Sequence, residues 1–327
     1  MASLLLSTAR LLEHGSALKS MANAADLRLV GMEEAEHFPA VLSDIEAAWY
    51  SLDLLNAGAP TGPSSVRFFR LIEACPKLRW LQVMSAGTDL PLYRPVIQRG
   101  VQISSGSGIA SEPVAHSTVA AVMALSRGFG HWLSAQRHRT WSKIPQDRLP
   151  RDLPGQHAVV VGLGPIGLEV SRLLRTLGLR VTGVRSRAEP LPSVDHTVTY
   201  EELADVVQTA DWLIVCCPLS PRTEGLIGRQ VIGALPARAG VVNVSRGAVI
   251  DQLALQEALM NGRVGSAYLD VFEREPLPAD SPLWSLPNVW ISPHNAAASA
   301  ENTRRESELF IRNLGNYLAG RPLENER

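Results

Sequence analysis

A chain of 327 residues is long enough to bury two sizeable hydrophobic cores, so two domains are the first expectation. Hydrophobic residues make up 46% of the sequence and charged residues 19%, which excludes the low apolar content of disordered chains. With 31 Lys and Arg against 32 Asp and Glu, the formal net charge is -1, and no overall positive field attracts nucleic acid.

The cysteines and the start of the chain indicate a reducing compartment. Cys75 and the adjacent pair Cys216 and Cys217 have a spacing that suits neither a disulfide framework nor a metal site. The apolar start, 4–6, lacks the preceding basic region of a signal peptide and is predicted to be a strand. No apolar run approaches the roughly 18 residues of a membrane span. We therefore expect a cytoplasmic protein with no metal and neither a membrane nor a nucleic-acid partner.

Short apolar runs alternate with helix-like segments along the chain. The first series of predicted strands is 3–6, 27–31, 47–52, 78–85 and 101–104. The second series, after Pro154, is 158–161, 180–184, 212–216, 241–244, 266–271 and 289–291. Strands that alternate with helices favour parallel sheets. The sequence therefore predicts an α/β fold with two Rossmann-like domains, each built on a parallel sheet.

Two further segments have the character of helices. Small and apolar residues fill 114–141, which is predicted to be one connecting helix between the two series. In the segment 301–318, Leu309, Phe310 and Leu314 recur at helical spacing and should pack against a core, although periodicity does not say which one.

A glycine-rich run follows the first strand of the second series. It consists of Gly162, Leu163, Gly164, Pro165, Ile166 and Gly167. Gly162 would make the tight turn, Gly164 would let the backbone approach a pyrophosphate, and Gly167 would allow close packing of the next helix. Free N–H groups and the helix macrodipole favour an anion there. The alternative is a glycine turn without a ligand, but the strand before it and the helix pattern after it favour a dinucleotide site.

The end of the next strand indicates which dinucleotide is bound. An NAD site usually places an acidic residue there to hold the ribose 2′-hydroxyl. This chain has Arg185, Ser186 and Arg187 instead, and two guanidinium groups with a hydroxyl suit a 2′-phosphate. The alternative is a solvated basic loop. The sequence therefore predicts NADP as cofactor, with NADPH preferred over NADH.

Ionisable residues follow each of the last three predicted strands, at the sheet edge where α/β proteins bind ligands. They are Arg246, Glu275 and His294. Reduction of a keto acid needs a cation for the carboxylate, a proton donor for the nascent alkoxide and a group that keeps the donor protonated. Arg246, His294 and Glu275 supply these three functions. Each alone could be a surface ion pair or a structural residue, but their shared position favours catalysis.

Four motifs resemble the signatures of the D-isomer-specific 2-hydroxyacid dehydrogenases. They are the glycine run 162–167, Val-Asn-Val-Ser-Arg-Gly at 242–247, Leu-Asp-Val-Phe-Glu-Arg-Glu-Pro at 269–276 and Ser-Pro-His at 292–294. The resemblance extends over nearly the whole chain. It implies hydride transfer between a nicotinamide cofactor and a small 2-keto or 2-hydroxy acid.

The resemblance also implies roles for single residues. Arg246, Glu275 and His294 would be catalytic, with His294 as the acid/base. Ala86 and Gly87 match the loop whose backbone N–H groups hold the substrate carboxylate, together with Arg246; the alternative is a plain turn. The other positions expected to contact the dinucleotide are Cys217, Pro218, Thr223, Val244, Asp270 and His294.

The resemblance implies an arrangement of the chain as well. Residues 1–112 with 299–327 would form a flavodoxin-like substrate-binding domain, and 113–298 the NADP-binding Rossmann domain, with the active site in the interdomain cleft. The long connecting helix and its arm would make a homodimer. Trp141 falls where some glyoxylate/hydroxypyruvate reductases offer a Trp across the dimer.

Some positions depart from the family pattern. His116 and Ser117 stand where Glu-His is common, and Asn295 follows His294 where an apolar residue is usual. The departure at Asn295 concerns the pocket more than the reaction. Asp270 matches a residue thought to tune the pH response.

Within the family, the chain resembles the NADP-linked glyoxylate/hydroxypyruvate reductases. The features that indicate this branch are Arg185 and Arg187 and the expected absence of a C-terminal regulatory domain. Phosphoglycerate dehydrogenase is the alternative enzyme, although it more often has an acidic residue in place of Arg185. Formate dehydrogenase is disfavoured, because that branch has Gln at the position of Glu275. A dinucleotide-sensing, corepressor-like binding protein is the alternative from another class. Selectivity for the substrate R-group is expected from side chains such as Trp49 or Trp80.

Overall fold

The computed structural model describes residues 2–21, 27–55 and 62–326. The chain divides into two compact units, Met1–Ile109 with Ala300–Arg327, and Ala110–Ser299. Each unit is built around one parallel sheet, which confirms the predicted α/β fold class. None of the helices in the described ranges is both long and apolar enough to cross a membrane.

The first unit contains a five-stranded sheet in the order β2-β1-β3-β4-β5. Its strands are β1 Ala2–Leu6, β2 Leu27–Gly31, β3 Ile45–Tyr50, β4 Trp80–Val83 and β5 Gln102–Ser104. The helices along this part are α1 Thr8–Met21, α2 Met32–His37, α3 Pro63–Glu73 and α4 Arg94–Gln98. Because successive strand residues point to opposite faces, Leu5 packs in one core and Leu4 and Leu6 pack in another. The sheet is therefore buried on both faces.

The second unit contains a seven-stranded sheet in the order β12-β11-β10-β9-β6-β7-β8. Its strands are β6 His157–Val161, β7 Arg180–Val184, β8 His196–Val198, β9 Trp212–Val215, β10 Gly240–Asn243, β11 Ser266–Leu269 and β12 Val289–Ile291. Its helices are α5 Ser111–Ser126, α6 Phe129–Arg137, α7 Pro165–Thr176, α8 Leu203–Val206, α9 Arg229–Ala234 and α10 Gln252–Met260. On β6, Val159 and Val161 face one core while Ala158 and Val160 face the other.

The strand order places a reversal between β6 and β9. From β6 the chain proceeds to β7 and β8 on one side, and it then returns to the other side of β6 with β9. The loops after β6 and β9 therefore leave the sheet in opposite directions at its carboxyl edge. In open α/β sheets such a reversal is where ligands bind.

The prediction of one helix over 114–141 was wrong. The segment forms two helices, α5 and α6, and Gly128 between them has a φ of 75°. A residue in this left-handed conformation ends a helix, and glycine adopts it without steric cost. Helix α6 ends at Arg137, so Trp141 lies outside it, with 94% of its surface exposed.

The C-terminal helix α11, Asn302–Leu318, packs on the sheet of the first unit. The Phe310 ring stacks on Trp49 with centroids 4.0 Å apart and on Trp80 at 5.7 Å. The Asn313 side-chain amide donates to Gln82 Oε1 at 2.8 Å. Both tryptophans are fully buried in this core, so the expectation that Trp49 or Trp80 selects the substrate R-group was wrong.

Short 3-10 helices complete the described structure. They are Pro39–Asp44, Leu52–Leu54, Pro91–Tyr93, Gln146–Arg148, Tyr200–Glu202, Val207–Thr209, Gly247–Val249 and Pro282–Ser285.

Candidate active site

Each of the three glycines after β6 is suited to its position for a different structural reason. Gly162 has a φ of 94°, and a Cβ there would lie 2.5 Å from the Cα of Cys217. A Cβ on Gly167 would lie 1.8 Å from the Gly162 carbonyl oxygen, so the helix approaches the strand as closely as glycine allows. A Cβ on Gly164 would meet nothing within 4 Å. The backbone at Gly164 is therefore open to an approaching group, as a pyrophosphate would require.

The start of α7 is suited to an anion. Gly164 occupies the N-cap position and has no side chain to satisfy the N–H groups of the first turn, and Pro165 follows at the first helical position. Leu163 packs on β7, where a Cβ on Gly183 would lie 2.4 Å from its Cδ1. Ile166 is half-buried against the core below the helix. The glycine run therefore fits the pyrophosphate of a dinucleotide.

The basic residues after β7 lie at the same edge of the sheet. The Arg185 backbone N–H donates to the Val198 carbonyl at 3.1 Å, which extends the pairing of β7 and β8 by one step. The Arg185 side chain is half-buried, whereas Ser186 and Arg187 are exposed. Throughout residues 2–21, 27–55 and 62–326, no carboxylate forms an ion pair with Arg185 or Arg187. Both guanidinium groups are available to a phosphate.

The loop after β9 is fixed by Thr223. Its hydroxyl donates to the Pro218 carbonyl at 2.6 Å and accepts the Ser220 N–H at 2.8 Å. Thr223 is 2% exposed, and its bonds hold the exposed Pro218 at the surface of the loop. Cys217 lies against Gly162, and burial raises the pKa of its thiol to about 12.

Arg246 is positioned by the turn that follows β10. The buried Asn243 side chain accepts the Ser245 N–H at 3.1 Å and donates to the Arg246 carbonyl at 3.1 Å. The Arg246 guanidinium is half-buried and donates to the Ser245 carbonyl at 2.8 Å. A Cβ on Gly247 would lie 1.8 Å from the carbonyl carbon of Phe272. This close approach brings the turn of Arg246 against the loop that follows β11. Val244, also on this turn, is only 7% exposed.

The loop after β11 delivers Glu275 to His294. Glu275 Oε1 accepts the Phe272 N–H at 3.0 Å, and Oε2 lies 2.7 Å from His294 Nδ1. The His294 side chain is 48% exposed and that of Glu275 35%, so the pair is open to a substrate. Since Nδ1 is engaged by Glu275, Nε2 is the ring nitrogen that can exchange a proton with a bound molecule.

The two groups shift each other's pKa in opposite directions. The hydrogen bond to Glu275 is the largest effect on His294 and raises its pKa, against partial burial and the charge of Arg246, which lower it. Partial burial alone would raise the pKa of Glu275, but the hydrogen bond from His294 and the Phe272 N–H outweigh it and lower that pKa. The pair therefore favours a charged imidazolium beside a charged carboxylate.

Asp270 holds the loop that carries His294. One oxygen of its buried carboxylate accepts the N–H groups of Asn295 at 2.7 Å and Ala296 at 2.9 Å and the hydroxyl of Ser292. The Asp270 carbonyl accepts the His294 N–H at 2.8 Å. His294 has a φ of 52°, an unusual value for a residue other than glycine, and these bonds hold it there.

Ser117 is a further support that sequence reasoning missed. Its hydroxyl donates to the Ala296 carbonyl at 3.0 Å, and thus fixes the loop of His294 from α5. The sequence alone marks Ser117 only as a departure from a family pattern. The other departures are surface positions, since His116 and Asn295 are both exposed.

The structure brings Arg246, Glu275 and His294 together within the second unit. Ala86 and Gly87 lie in the first unit, in the loop after β4. The Ser85 hydroxyl donates to the Gly87 carbonyl at 2.7 Å and so shapes that loop. No cluster of three or more His, Cys, Asp or Glu side chains in the described ranges is arranged to hold a metal ion.

Comparison with known proteins identifies relatives of this chain. Residues 119–296 match the family model described as "D-isomer specific 2-hydroxyacid dehydrogenase, NAD binding domain". The chain is 33% identical over 252 residues to a glyoxylate reductase of Korarchaeum cryptofilum, with 76% of each protein covered. It is 31% identical over 268 residues to a hydroxyphenylpyruvate reductase of Plectranthus scutellarioides, with 82% of each covered.

A solved structure resembles the whole chain. It is the D-isomer specific 2-hydroxyacid dehydrogenase of Xanthobacter autotrophicus in complex with NADPH and MES. The TM-score is 0.77 and the identity 26%, over 100% of this chain and 98% of the other. The similarity therefore includes both units of the chain as well as the glycine run and His294.

Proposed function

The chain belongs to the D-isomer specific 2-hydroxyacid dehydrogenase family of oxidoreductases, and we propose that it reduces a small 2-keto acid to the 2-hydroxy acid, with NADPH preferred over NADH. The observation that carries this proposal is the 2.7 Å contact between His294 Nδ1 and Glu275 Oε2, next to the guanidinium of Arg246. This set provides a charged proton donor beside a cation for a carboxylate.

Each residue of the set has one task in the proposed reaction. The planar guanidinium of Arg246 binds the substrate carboxylate and polarises the neighbouring carbonyl. A nicotinamide bound at the carboxyl edge of the second sheet would supply the hydride. His294 gives the proton on Nε2 to the carbonyl oxygen, and Glu275 stabilises the imidazolium before this transfer. In the reverse direction the neutral imidazole takes the hydroxyl proton. Ala86 and Gly87 remain predicted contacts of the carboxylate.

The proposed cofactor site follows the carboxyl edge of the second sheet. The glycine run from Gly162 to Gly167 would hold the pyrophosphate, and Arg185, Ser186 and Arg187 would hold the ribose 2′-phosphate. The unpaired guanidinium groups of Arg185 and Arg187 support this choice, as does the NADPH complex of the Xanthobacter relative. The other proposed contacts of the dinucleotide are Cys217, Pro218, Thr223, Val244, Asp270 and His294.

We propose glyoxylate or hydroxypyruvate as the substrate type, in line with relatives that carry those names. The proposed enzyme is a homodimer in the cytoplasm. Helix α6 has no buried residues, and Phe129, Trp132 and Leu133 expose more than two fifths of their surface, which suits a subunit interface. The three free cysteines suit a reducing compartment.

One assay tests the function. The full chain is mixed with NADPH or NADH and, in turn, glyoxylate, hydroxypyruvate, pyruvate, phenylpyruvate and 3-phosphohydroxypyruvate, and oxidation of the nicotinamide is followed. We expect the fastest turnover with NADPH and either glyoxylate or hydroxypyruvate. Preference for 3-phosphohydroxypyruvate would favour a phosphoglycerate-type enzyme. Binding of NADPH without turnover on any acid would favour a dinucleotide sensor and contradict the proposal.

A further inference from the structure

An arginine from one loop lies on an aromatic ring from another at the cofactor edge of the second sheet. The guanidinium carbon of Arg222 is 5.3 Å from the centre of the Tyr200 ring. Arg222 Nη2 also donates to Glu201 Oε1 at 2.7 Å. The side chains of Arg222 and Glu201 are 53% and 66% exposed. The contact is thus at the surface, where a ligand can reach it.

The strand order places this contact beside the proposed site of the 2′-phosphate. Arg222 belongs to the loop after β9, and Tyr200 follows β8, so their contact reaches across the carboxyl ends of β6 and β7. Those ends carry the glycine run and Arg185. The Arg185 N–H bonds the carbonyl of Val198, two residues before Tyr200.

The charges that act on the Tyr200 hydroxyl also indicate that Arg222 lies near Arg185. Burial is the largest effect on its hydroxyl and raises the pKa, whereas Arg222 and Arg185 both lower it. The two guanidinium groups therefore act on one phenol from two different loops. Cys217, which contacts the glycine run, acts on the same hydroxyl.

We propose that Arg222 is a specificity-determining residue for the ribose 2′-phosphate and that Glu201 restrains it. The inference rests on the proposed use of NADPH and extends it to a third guanidinium. An arginine held on an aromatic face is already oriented, so less side-chain freedom is lost when it binds a phosphate. Glu201 competes for the same guanidinium and also repels a phosphate.

Glu201 stays charged under all ordinary conditions. The hydrogen bond from Arg222 is the largest effect on this carboxyl and lowers its pKa to about 2. The restraint therefore does not vary with pH in the range in which the protein would be assayed, and it must be removed by substitution.

Equilibrium binding to the full chain tests the inference without turnover. Calorimetric titration compares adenosine 2′,5′-bisphosphate, which carries the 2′-phosphate, with adenosine 5′-monophosphate, which does not. Arg222→Ala should weaken binding of the bisphosphate about fivefold, the effect of one exposed ion pair, and leave the monophosphate nearly unchanged. Glu201→Gln should tighten binding of the bisphosphate by about twofold to fivefold.

A second exposed pair in the same unit provides the matched control. Arg229 Nη1 lies 2.6 Å from Glu257 Oε2, with side chains 62% and 48% exposed. Arg229→Ala and Glu257→Gln should leave both affinities unchanged, since this pair joins α9 to α10. An equal change in the control variants would mean that only net charge matters and would overturn the inference.

The remaining outcomes separate this inference from the proposed function. If the unsubstituted protein binds the two nucleotides equally, the 2′-phosphate site itself is wrong, and the role of Arg222 is lost with it. The other case is that the unsubstituted protein prefers the bisphosphate to the monophosphate. If Arg185→Asp then abolishes this preference and Arg222→Ala leaves it unchanged, only the role of Arg222 is overturned. Weaker bisphosphate binding by Glu201→Gln would overturn the restraint by Glu201.

Discussion

The carboxylate of Asp270 accepts the backbone N–H of Asn295 at 2.7 Å, one residue beyond His294. The same oxygen accepts the N–H of Ala296 at 2.9 Å, and the carboxylate is only 3% exposed. A buried negative charge therefore fixes the backbone of the proposed proton donor and also acts on its imidazole, because Asp270 contributes to the raised pKa of His294 after the larger effect of Glu275.

Asp270→Asn separates these two actions. The amide oxygen can still accept the loop N–H groups, so the loop should keep its position, but loss of the negative charge should lower the pKa of His294. Because reduction needs protonated His294, the alkaline limb of kcat/KM against pH should move to lower pH. The measurement is a pH profile of keto-acid reduction, with exposed Asp280→Asn as control. A profile that superimposes on that of the unsubstituted enzyme would contradict this role.

Arg246→Lys tests the substrate clamp. Lysine keeps the charge but loses the planar fork that binds a carboxylate at two points. Loss of one charge-assisted hydrogen bond should lower kcat/KM for the keto acid by about 10- to 100-fold, with little change in folding. Arg238→Lys, at a 68% exposed arginine, is the control and should have normal kinetics. Unchanged kinetics in Arg246→Lys would mean that the carboxylate is bound elsewhere.

Arg185→Asp tests the choice of cofactor. Two charge-assisted hydrogen bonds to a phosphate, discounted for exposure, should give the unsubstituted enzyme roughly 30- to 1000-fold preference for NADPH. The aspartate should repel the phosphate and accept hydrogen bonds from the ribose, so the variant should lose NADPH use and keep or gain NADH use. The measurement is kcat/KM for both cofactors at low and high salt, since the preference should shrink with salt.

Arg238→Asp is the control for net charge. Arg238 precedes β10 and so lies at the amino ends of the strands, away from the proposed phosphate site. Arg238→Asp should leave the ratio of kcat/KM for NADPH to kcat/KM for NADH unchanged. Equal use of NADH and NADPH by the unsubstituted enzyme at low salt would refute the NADP proposal, although the reaction class would survive.

A buried cluster in the first unit places one guanidinium among three carboxylates. Arg10 is 3% exposed and lies 3.1 Å from Glu306, 3.2 Å from Asp53 and 2.7 Å from Glu13. Glu306 is 2% exposed and also accepts the Leu52 N–H at 2.9 Å. Burial raises the pKa of Glu306 to about 8, against the attraction of Arg10 and the Leu52 N–H. Among these three carboxyl groups, burial therefore favours the protonated form of the most buried one, Glu306.

This cluster predicts a pH dependence of stability. Between the ordinary pKa of 4.5 and about 8, the folded chain binds a proton at Glu306 that the unfolded chain does not. This extra proton contributes roughly 2 to 5 kcal/mol to the free energy of unfolding. The contribution is complete below pH 4.5 and is lost as the pH rises through about 8. Urea unfolding from pH 5 to 9 should show this loss in the unsubstituted protein and in exposed Glu308→Gln, but not in Glu306→Gln. Parallel profiles for all three proteins would contradict it.

The sequence was sufficient for every strand of the two sheets except β8 and for the proximity of Arg246, Glu275 and His294, whose catalytic roles remain predictions. Strands such as β6 are short apolar runs followed by a glycine turn, so their pattern indicates both the strand and the loop after it. Arg246, Glu275 and His294 could be found because parallel strands present their carboxyl ends at one edge, so three separate segments predict one site.

Other features depend on contacts that periodicity does not reveal. Gly128 stands in a run otherwise typical of a helix, and only its left-handed conformation breaks that run in two. Strand β8 has three partly exposed residues at the edge of the sheet and lacks an apolar pattern. The hydrogen bond from Ser117 to Ala296 joins residues 179 positions apart. The stacking of Trp49 on Phe310 joins β3 to the C-terminal helix α11.

His294→Ala tests the proposed proton donor most directly. In the proposed mechanism, the 2.7 Å contact with Glu275 keeps the imidazole of His294 charged until it gives its proton to the substrate. Turnover of the keto acid at saturating NADPH should fall by about 100-fold or more, while the Kd for NADPH stays nearly unchanged. Near-normal turnover by a folded His294→Ala protein would contradict the mechanism and remove His294 from it.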